Sequence, residues 1–296
     1  MQNIPLKFTD YRLIFTIICI IINKTPYELT IQFLAVLGVL TVGILHGAND
    51  LSLIKKLGFL KSKSQRFVTY VCFVLFFSTL LYSIPMFALV LFVIISAYHF
   101  GEQQWHKYQT SSTPRLAVFY FTYGLFLFSV LFYMHSDEVT AVIYQISAVL
   151  VPPMFFAIFA LTSSVLLSFI LFFSIKSFKD FLMDFFIQTA IILLLFWTTN
   201  LLVSFAVYFV FWHSWPSLRD QANALYGPQG SFKKYLKDAW FYWVLSIIGL
   251  SIMYFYNDTL GLDPMALFFS FLAAITFPHV LVIFGLNRLL KPSANA

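Results

Sequence analysis

Long apolar runs, separated by short segments that carry charge, glycine or proline, constrain this chain more than any other feature. Only 10% of the residues are charged, whereas a soluble domain has about 25%. That composition excludes a soluble enzyme and a disordered chain. The runs are continuous rather than alternating, which excludes a transmembrane β-barrel. At about 20 residues per spanning helix, the chain accommodates roughly eight to ten spans, so we predict an all-α polytopic membrane protein.

The boundaries of the apolar runs predict ten spanning helices in a single integral-membrane domain, residues 1–296. They lie at approximately residues 8–23, 28–47, 66–83, 85–102, 115–134, 153–175, 183–197, 199–214, 238–256 and 264–286. The run from 183 to 215 is too long for one span, and polar residues at Thr198, Thr199 and Asn200 indicate where it breaks. Segments 135–152 and 231–240 are predicted to be helices that lie at the membrane interface.

The positions of Lys and Arg indicate the orientation of the chain. The ten-span arrangement places seventeen of the eighteen on one side of the membrane and only Lys24 on the other. Such an excess is typical of cytoplasmic loops, so we predict that both termini are cytoplasmic. The orientation of the loops and their contact with anionic lipid explain the net charge of +6. We therefore expect no nucleic-acid partner.

The first apolar stretch has the layout of a signal peptide but lacks its cleavage site. Lys7 and Arg12 precede residues 13–22, and no small-residue cleavage site follows. We therefore expect a retained first span and a multi-pass protein of the cell inner membrane.

Four of the six histidines fall inside predicted spans, in the same leaflet and at similar depth. They are His46, His99, His213 and His279. A single intramembrane histidine is more often a hydrogen-bonded core residue than a ligand. Four at matched depth, with no competing cysteine, favour a site for Fe, Cu, Ni or Zn. The remaining two, His106 and His135, are interpreted as interfacial or loop residues.

Carboxylates follow two of these histidines at helical spacing. Asp50 comes four residues after His46, on the same face if the helix continues, and Glu102 comes three residues after His99. Such carboxylates either orient metal-ligating imidazoles by hydrogen bonding or cap helix ends at the membrane surface. Pro278, directly before His279, is expected to kink the tenth span and to free a carbonyl.

An all-histidine site in an apolar cavity leaves three classes of function open. The first is a non-haem iron enzyme that acts on a lipid-soluble substrate with dioxygen. The second is a membrane b-type cytochrome with a bis-histidine haem, and the third is a transporter of a metal or a lipid. The hypothesis of a transporter is weakened because the predicted spans contain almost no charged residues and the sequence shows no sign of inverted repeats.

Four segments resemble those of a known family, and they occur in the family's order between about residue 40 and residue 285. The segments are His46-Gly47-Ala48-Asn49-Asp50, Tyr98-His99-Phe100-Gly101-Glu102, the stretch 205–214 that ends in Trp212-His213-Ser214, and Phe277-Pro278-His279. The family is the Brp/Blh group of integral-membrane β-carotene 15,15′-dioxygenases, which supply retinal to microbial rhodopsins.

This resemblance implies iron-dependent cleavage of the central 15,15′ double bond of β-carotene by O2, to give two molecules of all-trans-retinal. It implies Fe(2+) held by His46, His99 and His213, and a functional link to a microbial rhodopsin. The family often has a second histidine four residues after the third ligand, where this chain has Ser217. Either His279 completes the site, or fewer imidazoles hold the iron.

Three aromatic residues adjacent to these histidines in sequence, Tyr98, Tyr208 and Trp212, are candidates for the wall of a substrate tunnel. The alternative interpretation is that they are ordinary interfacial aromatics.

Overall fold

The structure is a computed structural model that describes residues 10–25, 27–106, 114–178, 181–227, 231–256, 261 and 263–290. The regular elements in these residues are helices: α1 (Tyr11–Asn23), α2 (Glu28–Gly38), α3 (Asp50–Leu57), α4 (Lys63–Ser83), α5 (Pro85–Trp105), α6 (Pro114–Met134), α7 (Ser136–Ser147), α8 (Pro153–Phe178), α9 (Leu182–Thr198), α10 (Leu201–Val207), α11 (Trp215–Tyr226), α12 (Phe232–Phe255) and α13 (Pro264–Leu290). Two π-helical turns, Val39–Gly43 and Tyr208–Ser214, continue α2 and α10.

The predicted all-α polytopic bundle is confirmed. Within the described residues, seven helices are long and apolar enough to cross a membrane. The other three predicted spans correspond to shorter apolar helices, Tyr11–Asn23, Leu29–Gly43 and Leu182–Thr198. The orientation of the bundle and the crossing of the membrane by these three shorter helices stay predictions.

The predicted break in the long apolar run is also confirmed. Helix α9 ends at Thr198, and α10 begins after Asn200, whose side chain accepts a hydrogen bond from the backbone N–H of Val203. Because this side-chain cap satisfies an N–H that has no partner within the helix, it specifies a helix start at this point.

The predicted end of the eighth span, at residue 214, is wrong. The helix does not stop at residue 214 but continues as α11 to Tyr226. Pro216 lies in the first turn of α11, directly after the π-helical turn. A proline at that position lacks one N–H but does not force the helix to end.

The separate interfacial helix predicted at 231–240 is wrong as well. Those residues form the first turns of α12, which begins after the Ser231 cap and runs without a break to Phe255. No Gly or Pro occurs between Phe232 and Ile248, so nothing interrupts the helical hydrogen bonds there. Segment 135–152 contains α7, as predicted, and its position at the interface stays a prediction.

Helix α3 is a short element that the sequence reading did not identify. Helix α13 continues through Pro278, so the expected kink stays a prediction. The ends of α2 and α5, the π-helical turn after α10 and the middle third of α13 meet at one place in the bundle interior. The candidate site lies there.

Helices α5 and α6 approach each other so closely that their backbones are in contact at two glycines. A Cβ added at Gly101 would lie 1.9 Å from the carbonyl oxygen of Tyr120, and one added at Gly124 would lie 1.8 Å from that of Ala97. Backbone atoms cannot move aside as a flexible side chain does, so only glycine fits at these positions. This contact fixes the depth of α5, which carries His99.

Gly101→Ala and Gly124→Ala are therefore expected to destabilise the bundle, because either methyl group forces α5 and α6 apart. The expected change is a fall of several degrees in the midpoint of thermal unfolding in detergent. Gly249→Ala in α12 is the matched control, since no atom lies within 4 Å of the added Cβ. An unchanged midpoint for both variants in the α5–α6 contact would contradict this packing.

Candidate functional site

The structure brings the four intramembrane histidines together into one cluster, which we call the histidine cluster. The ring centroids of His46 lie 5.2 Å from His213 and 4.6 Å from His279. Those of His99 lie 4.7 Å from His213 and 5.4 Å from His279. Each of these four contacts is edge-to-face. Four separate segments of the chain therefore converge through their imidazoles.

Each ring of the histidine cluster has a buried nitrogen that finds no hydrogen-bond partner within the part of the chain that the structure describes. These atoms are His46 Nε2, His99 Nε2, His213 Nδ1 and His279 Nε2. All four side chains are buried, with at most 5% of any residue exposed. A buried polar atom without a partner costs about 1–3 kcal/mol, so four in one place have the chemistry of a ligand-binding site.

The local backbone determines the tautomer of His46. Its Nδ1 donates to the carbonyl oxygen of Gly43, which ends the π-helical turn after α2. A ring that donates from Nδ1 carries a lone pair on Nε2 when neutral. Residues 46–49 form a turn, so α2 does not continue to Asp50. Asp50 instead begins α3.

Asp50 contacts a different histidine from the one that precedes it in sequence. The Nδ1 of His279 donates to Asp50 Oδ1 at 2.9 Å, and both residues are buried. The hydroxyl of Tyr70 donates to Asp50 Oδ2 at 2.7 Å. These bonds fix the Asp50 carboxylate and, through it, the ring of His279. The lone pair of His279 is therefore on Nε2.

The π-helical turns lie next to the histidine cluster on two of the four elements. Val39–Gly43 comes just before His46, and Tyr208–Ser214 contains His213. A π-helical turn rotates the following residues relative to a regular α-helix, and such turns occur often at functional sites. Here the two turns determine that the side chains of His46 and His213 point into the bundle.

The other predicted positions lie outside the histidine cluster. Glu102 is buried, and its carboxylate accepts from the Tyr98 hydroxyl at 3.1 Å and from Asn287 Nδ2 at 2.8 Å. The two remaining histidines bond elsewhere: His106 Nδ1 to the carbonyl oxygen of Glu102, and His135 Nε2 to the hydroxyl of Ser204. A role for Glu102 in orienting an imidazole stays a prediction.

The proposed tunnel aromatics are held by hydrogen bonds of their own. The Tyr208 hydroxyl donates to Gln104 Oε1 at 3.3 Å, and Trp212 Nε1 donates to the Thr16 hydroxyl at 2.9 Å. With Tyr98, they are not among the residues that line the two cavities described next. Their place in a tunnel wall stays a prediction.

A cavity of about 230 Å³ reaches the histidine cluster, and we call it the histidine cavity. His46, His279 and Asp50 line its inner end, and apolar side chains of α4, α12 and α13 line most of the rest. Two of its lining residues, Leu75 and Leu245, are exposed on the surface of the bundle. The cavity thus extends from these surface residues to the imidazoles of His46 and His279.

A second cavity of about 310 Å³ is lined by apolar side chains and does not include a histidine. Phe205 lines it and stacks on Phe209, which lines the histidine cavity, at 5.2 Å between ring centroids. This pair of rings lies between the two cavities.

Ser217, where the family often has a histidine, is buried in a hydrogen-bond network behind His46. Gln221 Nε2 donates to the Ser217 hydroxyl at 3.1 Å. The Tyr235 hydroxyl donates to the backbone carbonyl of His46 at 3.1 Å, with Gln221 Oε1 as an alternative acceptor at 3.0 Å. Asn49 Nδ2 donates to the backbone carbonyl of Tyr235 at 3.0 Å. The network thus holds the turn that carries His46.

Tyr70 and Tyr235 were not identified from the sequence, because neither lies near a histidine in the chain. Both act across long sequence separations, and a tyrosine in an apolar run looks like an ordinary interfacial aromatic. The only sign of them in the sequence was that each places a polar hydroxyl within a predicted span or next to one.

Imidazole nitrogen is the commonest metal ligand in proteins, so the four rings have the donor chemistry of a transition-metal site. Among the described residues, however, no group of three or more His, Cys, Asp or Glu side chains has the geometry to hold a metal ion. The imidazole rings would therefore have to move to close on one.

The comparisons with known proteins agree with this architecture. Residues 37–287, which include all four histidines of the cluster, match the family model described as beta-carotene 15,15'-dioxygenase. Neither a curated protein nor a solved structure matches the chain. Because the family model covers well over half of its length, this membrane protein belongs to the β-carotene 15,15′-dioxygenase family.

Proposed function

We propose that the chain is a non-haem iron dioxygenase that cleaves the central 15,15′ double bond of β-carotene. One β-carotene and one O2 give two molecules of all-trans-retinal, each keeping one oxygen atom. The observation that carries the proposal is the histidine cluster, with its four unpartnered nitrogens, at the inner end of a cavity that is open to lipid.

The spacing of the rings fits a shared metal ion. With about 2.1 Å from metal to nitrogen and about 1.2 Å from nitrogen to ring centre, ligands at 90–109° have ring centres about 4.7–5.4 Å apart. The four contacts between neighbouring rings span 4.6–5.4 Å. His46, His99, His213 and His279 are therefore the proposed ligands.

The residues around the ligands prepare them for binding. Donation from Nδ1 of His46 to Gly43 and from Nδ1 of His279 to Asp50 leaves a lone pair on each Nε2. The Asp50 carboxylate also fixes the orientation of the His279 ring and supplies negative charge close to the site. When bound, Fe(2+) would supply the redox chemistry that activates O2. In this arrangement His279 is the fourth ligand, the role that the family resemblance implies for a histidine at position 217.

The substrate and the cavity match in chemistry. β-Carotene is a hydrocarbon about as long as the membrane core is thick, roughly 30 Å. Entry past Leu75 and Leu245 would bring it from the lipid without an aqueous step. The Phe209 ring, which stacks on His213 at 5.5 Å between centroids, presents an aromatic surface to a polyene beside the cluster. Holding one double bond there is the chain's main contribution to selectivity.

The arrangement argues against a cytochrome. A bis-histidine haem needs two imidazoles on opposite faces of a porphyrin. Rings that contact each other edge-to-face leave no room for that macrocycle between them. We place the protein in the cell inner membrane, with lipid as its surroundings and a microbial rhodopsin as the consumer of its retinal.

Expression in a bacterial host that accumulates β-carotene tests the reaction directly. We expect loss of the orange colour and formation of all-trans-retinal, detected by chromatography of extracted pigments. Apocarotenals of unequal length would contradict central cleavage, and unchanged β-carotene alongside well-expressed, iron-loaded protein would contradict the substrate.

Replacement of any histidine of the cluster by Ala is expected to abolish retinal formation and to lower the iron content of the purified protein. The reason is that each variant removes one of the proposed ligands. Iron per protein chain, measured by elemental mass spectrometry, is the second readout. His106→Ala is the control, because His106 lies outside the cluster. Iron and retinal at control levels in all four variants would refute the metal site.

Asp50→Asn is expected to weaken iron binding by about 10–100-fold and to reduce activity less than loss of a ligand does. The amide keeps the shape of the Asp50 side chain but removes the negative charge that accepts the hydrogen bond from His279. Asp137→Asn, on the exposed first turn of α7, is the control. Iron affinity equal to that of the control would mean that Asp50 has no influence on the ligand.

A further inference from the structure

A third cavity, of about 370 Å³, lies between α3, α4 and α12 and has a different chemistry from the other two. We call it the basic pocket. Four cationic side chains, Lys55, Lys63, Arg66 and Lys237, line it, together with Asp238. An excess of three positive charges in one concave surface predicts an anionic ligand.

The single acid beside the basic pocket offsets at most one of its four positive charges. The Asp238 carboxylate accepts a hydrogen bond from the Tyr226 hydroxyl at 2.6 Å. Arg66 is buried, and its Nη1 donates to the backbone carbonyls of Leu60 and Lys61 at 2.8 Å each. Carbonyl partners fix the guanidinium in place, and no carboxylate of the described ranges pairs with its positive charge.

The surroundings of the basic pocket select a lipid rather than a soluble anion. Trp240 and Phe241 line the pocket and are more than half exposed. The pocket lies where α4 begins and in the second and third turns of α12, two helices suited to span the membrane. Aromatic side chains at this level are typical of the membrane interface, and basic pockets between spanning helices bind anionic headgroups.

We propose that the basic pocket binds the phosphate headgroup of an anionic phospholipid of the surrounding bilayer. The acyl chains of that lipid lie along Trp240 and Phe241. Leu51 and Tyr242 line both the basic pocket and the histidine cavity. A bound lipid therefore closes this end of the histidine cavity against water. The proposal does not depend on the identity of the metal or of the substrate.

Lipid retention by the full-length protein tests the proposal. Protein stripped of lipid in a neutral detergent is mixed with phosphatidylglycerol or with phosphatidylcholine, and native mass spectrometry gives the Kd of each. We expect tighter binding of phosphatidylglycerol. Lys63→Ala combined with Lys237→Ala is expected to raise its Kd by about thirtyfold.

Lys61→Ala combined with Lys233→Ala is the matched control. It removes the same charge from the same two segments at exposed positions that do not line the pocket. We expect this variant to bind phosphatidylglycerol as the unmodified chain does. Equal loss in both double variants would show non-specific attraction and overturn the proposal.

Three further results bear on the identity of the ligand. Equal retention of the two lipids would overturn the requirement for negative charge. Displacement of phosphatidylglycerol by inorganic phosphate at equal concentration would overturn the choice of a lipid. The unmodified chain provides a test that needs no variant: retention that does not weaken as ionic strength rises would overturn the electrostatic basis.

Discussion

The structure depends on one unusual constraint, which is that four imidazole nitrogens are buried together without a hydrogen-bond partner among the described residues. At about 1–3 kcal/mol each, their summed cost is comparable to the whole stability of a typical domain. Apolar side chains at these positions would remove that cost. Under the proposed function, a bound metal ion that accepts the lone pairs of these rings would offset that cost.

The backbone places these rings by interrupting regular helix geometry. His46 follows a π-helical turn at the point where α2 ends, and His213 lies within another such turn. On α5 the contact of Gly101 and Gly124 with the backbone of the facing helix sets the depth of His99. Straight helices with the same sequence spacing would aim the rings differently. Local departures from the α-helix therefore do most of the positioning, and hydrogen bonds to Gly43 and Asp50 complete it.

The sequence was sufficient for the features that depend on composition and on local chemistry. Apolar runs gave the spans, and the polar residues around Asn200 gave the break between α9 and α10. Matched depth predicted that the four histidines meet. The spacing of His46 and Asp50 was misleading about the partner of the carboxylate, because Asp50 bonds His279, 229 residues further along the chain. Contacts of that kind are set by packing, and no local pattern encodes them.

The lateral opening of the histidine cavity at Leu75 and Leu245 has a kinetic consequence. For a substrate that arrives through the side of the bundle, the relevant concentration is the number of substrate molecules per lipid molecule, not the number per litre of buffer. The turnover of such an enzyme follows the mole fraction of carotenoid in the bilayer, and diluting the vesicles with buffer leaves that fraction unchanged. Under the proposed function, the membrane therefore acts as both the solvent and the reservoir of the substrate.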